Sequence, residues 1–432
     1  MKTGFTAYAN QKKRLGREVM MKKIEGGVTA ASGFAAAAAE AQIKYKGRTD
    51  MALVYSTVPA QAAGAFTTNV VKAAPVLWDK EQAENAPFVQ AVIVNSGIAN
   101  ACTGAQGRAY CEETAQAAAA ALHIPENAVL LGSTGVIGMQ LPMDRIKAGV
   151  AALAAAKEQT REAGLAAAKA IMTTDTYPKE TAYTFSLGGR QATMGGMSKG
   201  SGMIHPNMCT MLAYITTDAA IDKALLQKAL QTVVPDTFNM ISVDGDTSTN
   251  DTVLVLSNGL AGNEAIADER SEDYAHFLEV LKAVCTDLAK MQAGDGEGAT
   301  KLVEARVVHA DTKEHAKILA KSVICSNLTK AAMYGNDANW GRILCALGYA
   351  GVPFDPERVD LRFEGDAEDG GKSILIYTNG AAAPYSEEEA TKLLSGKEVH
   401  LVADMHMGEA EATAWGCDLT YDYVKINADY RS

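Results

Sequence analysis

Residues 199–218 read Lys-Gly-Ser-Gly-Met-Ile-His-Pro-Asn-Met-Cys-Thr-Met-Leu-Ala-Tyr-Ile-Thr-Thr-Asp, a Gly- and Pro-containing loop that runs into a short apolar segment. The apolar run has the composition of a buried strand, and Thr210 stands at the junction. A threonine so placed can act twice. Its hydroxyl can attack the carbonyl of Cys209, giving an ester by N-to-O acyl shift, and hydrolysis of that ester makes Thr210 a new N-terminus. The freed α-amine then lies beside the hydroxyl of the same residue and can serve as its base. The same spacing also suits an ordinary loop–strand junction with an incidental threonine. Cys209 is a weaker rival nucleophile, because it would leave as the new C-terminus and no histidine stands at a signature spacing. His205, the nearest in sequence, is expected to be a loop histidine rather than a general base.

Acyl transfer also needs hydrogen-bond donors aimed at the developing oxyanion, worth roughly 2.7–4 kcal/mol each. Thr134-Gly135 follows a β-like run and offers a hydroxyl and a backbone N–H on a turn. Metal and nucleotide chemistry find less support. Asp244-Gly-Asp-Thr-Ser-Thr-Asn-Asp251 has acidic or amide side chains at loop positions 1, 3 and 7. It carries Thr249 where a calcium loop needs Gly and Val255 where it needs Glu. A turn network through Asp246 and Asn250 is expected instead. Gly200-Ser-Gly202 lacks the rest of either phosphate-binding pattern. His309/His315 and His400/His406 have no companions in a zinc pattern, so no metal is expected.

These residues need a scaffold, and the 432 residues suffice for two or three packed units. Ala-rich segments 34–42, 111–122 and 144–172 are expected as helices, because alanine is the best helix former. Segments 222–233, 271–291 and 312–332 are expected as helices too. Strands are expected at 52–56, 88–95, 128–133, 210–216, 239–243, 252–257, 373–377, 399–403 and 411–425. A hairpin over 181–196 turns at Gly188-Gly189. The mixture predicts an α/β fold with some antiparallel sheet.

Composition narrows the function. A net charge of −11 argues against nucleic acid or an anionic membrane as the main partner. Seven cysteines without C-x-x-C pairs suit a reducing cytoplasm rather than a disulfide framework. Residues 1–23 are polar and basic with no apolar core, so they are expected to be a disordered extension rather than a secretory signal. No apolar run of about 18 residues predicts a transmembrane span.

The ordered motifs resemble the ornithine acetyltransferases, the glutamate N-acetyltransferases of arginine biosynthesis, over residues 24–432. The resemblance rests on Gly26-Gly-Val-Thr-Ala30, Phe66-Thr-Thr-Asn69, Val71-Lys-Ala-Ala-Pro-Val76, Asn95-Ser-Gly-Ile-Ala-Asn-Ala-Cys-Thr-Gly104 and Ser133-Thr-Gly-Val-Ile-Gly138. It continues through Thr173-Thr-Asp-Thr176, the 199–218 segment, Asp244–Thr252, Gly294-Asp-Gly-Glu-Gly-Ala-Thr-Lys301, Asn339-Trp-Gly-Arg342 and Ile426–Ser432. It implies a layered α-β-β-α core, like that of self-processing N-terminal-nucleophile enzymes, with a second, smaller α/β part. It implies self-cleavage between Cys209 and Thr210 into an α chain (24–209) and a β chain (210–432), assembled as an α2β2 heterotetramer. It makes Thr210 the nucleophile that carries acetyl, and Thr134 and Gly135 the oxyanion hole. Thr176, Lys199, Thr210, Glu297, Asn427 and Ser432 match the family's substrate-binding positions, with Lys199 a point charge for a carboxylate and Glu297 a partner for an ammonium. The implied substrates are N-acetylornithine and glutamate, with acetyl-CoA a possible second donor and no bound cofactor. Ile98 and Ala338 depart from the family's usual Asn and Pro, which bears on local loop shape. The alternative is an amidohydrolase or aminopeptidase with the same nucleophile and water as acceptor. A non-catalytic binding protein would not need the full set of Thr210, Thr134, Gly135, Lys199 and Glu297.

Overall fold

The computed structural model describes residues 21–205, 211–365 and 371–429. Its strands are β1 (Met21–Ile24), β2 (Phe34–Ala39), β3 (Met51–Phe66), β4 (Val89–Asn95), β5 (Val129–Ser133), β6 (Lys179–Leu187), β7 (Arg190–Lys199) and β8 (Leu212–Thr217). They continue with β9 (Ile241–Ser242), β10 (Thr252–Ser257), β11 (Leu302–Ala310), β12 (Asp360–Glu364), β13 (Ser373–Thr378), β14 (Ala381–Ala382), β15 (Glu398–Asp404) and β16 (Ala410–Cys417). The first sheet runs β1-β6-β7-β8-β10-β3-β4-β5, with β2 added on β3.

Strand β3 folds that sheet onto itself. Its residues 61–66 pair with β10, whereas residues 51–56 pair with β2 and 51–55 with β4, and the register against β4 breaks between Tyr55 and Ala60. The two leaves face each other across one core, to which Ala36, Val54, Val92 and Leu130 contribute from one side. Met197, Leu212, Tyr214 and Leu254 contribute from the other. Helices Lys223–Val233 and Glu272–Gly294 cover the outer face of one leaf, and Gln106–Leu122 and Met143–Ala156 cover the other. The result is the expected α-β-β-α layering. A second sheet, β14-β13-β12-β15-β11-β16-β9, packs with its helices against the core under Glu272–Gly294.

Several elements differ from expectation. Residues 34–39 form strand β2 rather than a helix. A helix buries one stripe, but here Phe34 and Ala36 enter the inner core while Ala37 and Ala39 enter the outer one. That two-sided burial outweighs the few tenths of a kcal/mol per residue by which alanine favours a helix. The segment 144–172 is two helices, Met143–Ala156 and Arg161–Ala170. Between them Glu158 exchanges backbone hydrogen bonds with Ala36 (2.9 and 3.0 Å), and Thr160 caps the second helix. The segment 312–332 likewise divides at Ser326, whose hydroxyl caps Asn327–Tyr334. Strand β16 ends at Cys417, and Tyr421–Ala428 is a helix rather than more strand. Residues 21–23, assigned to a disordered extension, form edge strand β1 on β6. The hairpin stands as read, with Gly188 and Gly189 both at positive φ (52° and 79°), as a tight two-residue turn requires. Among the described residues no helix is long and apolar enough to cross a membrane.

Candidate active site

Strand β8 is held on both sides, antiparallel to β7 and parallel to β10, and all six of its residues are buried. Its first residue, Leu212, pairs with Lys199 and with Thr252. Cys209 and Thr210 lie outside the described residues, as does Ser432. Met211 and Leu212, which follow directly, line a cleft with Thr134, Lys199, Gly202 and Asn250. The fold therefore brings two of the sequence candidates, far apart in the chain, to the start of the strand that Thr210 must lead.

Thr134 follows β5 on a turn clasped by the Asn95–Ile98 loop. The Thr134 N–H donates to the Asn95 carbonyl (3.0 Å), and the Val136 N–H to the Gly97 carbonyl (3.1 Å). Among the described residues, the Gly135 N–H between them and the Thr134 hydroxyl engage no acceptor. Gly135 has φ +127°, and a Cβ there would lie 2.4 Å from the Gly97 carbonyl oxygen, so only glycine fits. Ser133 completes the clasp by accepting from the Asn100 N–H (2.8 Å). The departure at Ile98 leaves the clasp intact: Ile98 pairs with Val136, and its carbonyl accepts from the Asn95 amide (2.7 Å).

Lys199 ends β7, is 8% exposed, and among the described residues makes no ion pair. Beside it lies a buried ion cluster. Lys179 is fully buried and its Nζ meets Asp175 Oδ1 at 2.7 Å and Asp295 Oδ2 at 2.6 Å. Burial would raise the Asp175 carboxyl, but Lys199 and Lys179, with the bonds from Lys179 and the Thr173 N–H, hold it well below the usual carboxylate range. Asp175 also accepts from the Gly200 N–H (2.8 Å), which fixes the loop leading to Thr210. Asp295 accepts from the Thr176 N–H (3.0 Å) and from its hydroxyl. Thr176 is exposed and is not among the residues that line the cleft.

Glu297 is buried behind Gly202, where a Cβ would fall 2.4 Å from its carboxylate oxygens. Its Oε2 accepts from the Asn427 amide (2.8 Å), so the helix Tyr421–Ala428 closes over it. Thr420 donates to the Gly298 carbonyl (2.7 Å), and Asp418 takes the N–H groups of Thr300 (2.8 Å) and Lys301 (3.1 Å).

Residues 203–204, which precede Thr210 in the chain, are held by Asp244, not Asp246. Asp244 accepts from the N–H groups of Met203 (2.6 Å) and Ile204 (2.8 Å). Thr67 and Asn69 in turn grip the carbonyls of Ser248 (2.9 Å) and Thr247 (2.9 Å). His205 turns its Nδ1 to the Ser242 hydroxyl (3.1 Å). Burial, then Lys321, pushes its pKa down to about 4, with Asp244 opposing, so the ring is neutral at pH 7. Asn339-Trp-Gly-Arg342 is a helix start in the second sheet's layer. Asn339 caps it, and Trp340 stacks on Tyr377 at 5.2 Å.

A model of the ArgJ family matches residues 35–432. The chain belongs to the ArgJ family. It is 54% identical over 414 residues to the arginine biosynthesis bifunctional protein ArgJ of Symbiobacterium thermophilum, covering 95% of this chain and 100% of that protein. It is 46% identical over 412 residues to the protein of the same name from Caldanaerobacter subterraneus subsp. tengcongensis, covering 95% and 100%. Among solved structures it is similar to a chain of the arginine biosynthesis bifunctional protein argJ of Bacillus halodurans. That match has 47% identity and a TM-score of 0.48, and covers 51% of this chain and 99% of that one. A chain of Mycobacterium tuberculosis ornithine acetyltransferase complexed with ornithine matches at 44% identity and TM-score 0.41, covering 43% and 98%.

In this ArgJ-family chain the residues that sequence reasoning missed are Asp175, Lys179 and Asp295. A signal was present: each aspartate sits inside a motif already noted, and Lys179 follows Asp175 by four. Only the fold shows that one lysine joins both.

Proposed function

We propose that this chain cleaves itself before Thr210 and transfers an acetyl group from N2-acetylornithine to glutamate through an acetyl-Thr210 intermediate. The observation that carries this reading is the pair of donors, Thr134 Oγ1 and Gly135 N–H, that engage no acceptor among the described residues, on the turn beside the cleft shared by Lys199 and the start of β8. In the first half-reaction the Thr210 hydroxyl attacks the acetyl carbonyl while its own α-amine takes the proton. The carbonyl electron pair moves to an oxyanion bound by Thr134 and Gly135. Collapse breaks the C–N bond, the ammonium of Thr210 returns the proton, and ornithine leaves. Glutamate then attacks the ester with its α-amine, and the same steps run in reverse order to give N-acetylglutamate.

Lys199 is proposed to hold the carboxylate common to both substrates, and Glu297, set by Asn427, an ammonium. Thr176 and Ser432 complete the proposed contacts. Acetyl-CoA is proposed as a second donor, in keeping with the bifunctional character of the relatives; it acts as substrate and no bound cofactor is needed. The six free cysteines among the described residues support a reducing compartment, the cytoplasm. An α2β2 assembly is proposed on the family resemblance alone.

Denaturing gels and mass spectrometry test the reading. The parent protein should give two fragments, one beginning Thr-Met-Leu-Ala-Tyr, and should gain one acetyl on that fragment when given N-acetylornithine alone. Thr210→Ala should stay whole and gain none. Release of acetate without transfer to glutamate would support the hydrolase alternative.

A further inference from the structure

A second cavity, of about 220 Å³, adjoins the Thr134–Gly135 turn, with Gly135 and Val136 in its lining. Lys44, Arg48, Gly97, Thr173, Ile426 and Asp429 are among the other residues that line it. The contact with the oxyanion turn is immediate. A Cβ on Gly97 would lie 3.3 Å from Lys44 Cβ and a Cβ on Gly135 2.4 Å from the Gly97 carbonyl, so Lys44 is one glycine away from Gly135.

The segment that carries Lys44 and Arg48 is tied down by its own hydrogen bonds. Buried Asp50 accepts from the N–H groups of Ala41 (2.7 Å) and Ile43 (2.6 Å), and Glu40 accepts from that of Gly47 (2.7 Å). Arg48 is anchored through Nη2 to the Met172 carbonyl (2.5 Å), next to Thr173. Lys44 lies over the Tyr45 ring at 4.7 Å. Among the described residues neither cation has a carboxylate within ion-pair distance. Both cations are half-buried, in a chain of net charge −11.

From this we infer that Lys44 and Arg48 form the subsite for the side-chain carboxylate of the acyl acceptor. The inference rests on the proposed acetyl transfer. Donor and acceptor amino acids present the same α-carboxylate, but one ends in a cation and the other in an anion. Buried Glu297 suits an ammonium and repels a second carboxylate. Lys199 is committed to the shared end. Against the single carboxylate of Asp429 in the same lining, Lys44 and Arg48 supply the net positive charge the acceptor's other end requires, and Arg48 offers a planar fork that fits a carboxylate.

The test uses the processed protein, with Lys44→Met, Arg48→Gln and the double variant, titrated calorimetrically with L-glutamate and with its neutral isostere L-glutamine. Loss of a charged hydrogen bond should weaken glutamate roughly tenfold per residue and leave glutamine within about twofold. The Michaelis constant for glutamate should rise in parallel, while acetylation of the β chain by N-acetylornithine serves as the check that the variants are folded. Equal weakening of glutamate and glutamine, no change for glutamate, no glutamate binding by the parent, or a rise confined to the acetyl-CoA Michaelis constant would each overturn the assignment. If the parent binds glutamate but never becomes acetylated, acetyl transfer fails while the titrations still decide the subsite.

Discussion

Lys179→Met is the most demanding perturbation of the site that leaves every proposed catalytic and substrate-binding group in place. The lysine is fully buried and bonded to two carboxylates at 2.7 and 2.6 Å. Methionine fills most of the volume but leaves Asp175 and Asp295 facing each other, with Lys199 the remaining nearby cation for Asp175. Breaking a buried pair from one side costs about 3–5 kcal/mol. The pH dependence fixes the cause. In the parent the Asp175 carboxyl is depressed, so its contribution is present above the unfolded value near 3.9 and is lost only as pH falls through the lower folded value. In the variant, burial, its largest single influence, is less opposed and the carboxyl moves up. The native variant then takes up a proton before the unfolded chain does and gains stability as pH falls. The gap between parent and variant should therefore be widest at pH 7–8 and narrow towards pH 5. Urea unfolding in a Thr210→Ala background measures this, because the chain stays whole and urea adds no screening ions. A gap under about 1 kcal/mol, or one unchanged between pH 5 and 8, would refute the reasoning.

Thr134→Ala should lower kcat by about 10²–10³ with Michaelis constants nearly unchanged, whereas Lys199→Ala should mainly raise Michaelis constants; steady-state kinetics on both variants separates the roles. Gly202→Ala would set a Cβ 2.4 Å from the Glu297 carboxylate oxygens. That flexible carboxylate can move, so urea stability should fall by less than about 1 kcal/mol while the Michaelis constant for N-acetylornithine rises. His205, neutral down to about pH 4, costs native stability as pH falls from its unfolded value near 6.5. His205→Asn should flatten that acid limb of the unfolding midpoint and leave the kcat profile between pH 6 and 8 unmoved.

The candidate residues were more legible in the sequence than the scaffold that positions them. Thr134, Gly135, Lys199 and Glu297 stand in motifs, and the structure gathers them around one cleft and the loop behind it. Their support was hidden because partners are set by topology: nothing in the chain says that Asp295 meets Lys179, 116 residues earlier. Local propensity misled at residues 34–39, where alanines serve two cores at once. It misled again at 144–172 and 312–332, where one cap residue divides what periodicity joins. Strand β11 was not expected, although it lies at the centre of the second sheet, between β15 and β16.

The strand order of the first sheet bears on what a cut at Cys209–Thr210 can and cannot release. Strands β1, β6 and β7 precede that bond in the chain, β8 and β10 follow it, and β3, β4 and β5 precede it again. The later fragment is thus threaded between two blocks of the earlier one, zipped to β7 along one edge and to β3 along the other. Scission therefore yields two polypeptides that are separate by covalent count and inseparable as a fold. Neither can slide out without tearing two ladders at once. Once torn apart they would have to find each other again in solution. An irreversible proteolytic step would so turn assembly within one chain into a pairing whose recovery depends on concentration.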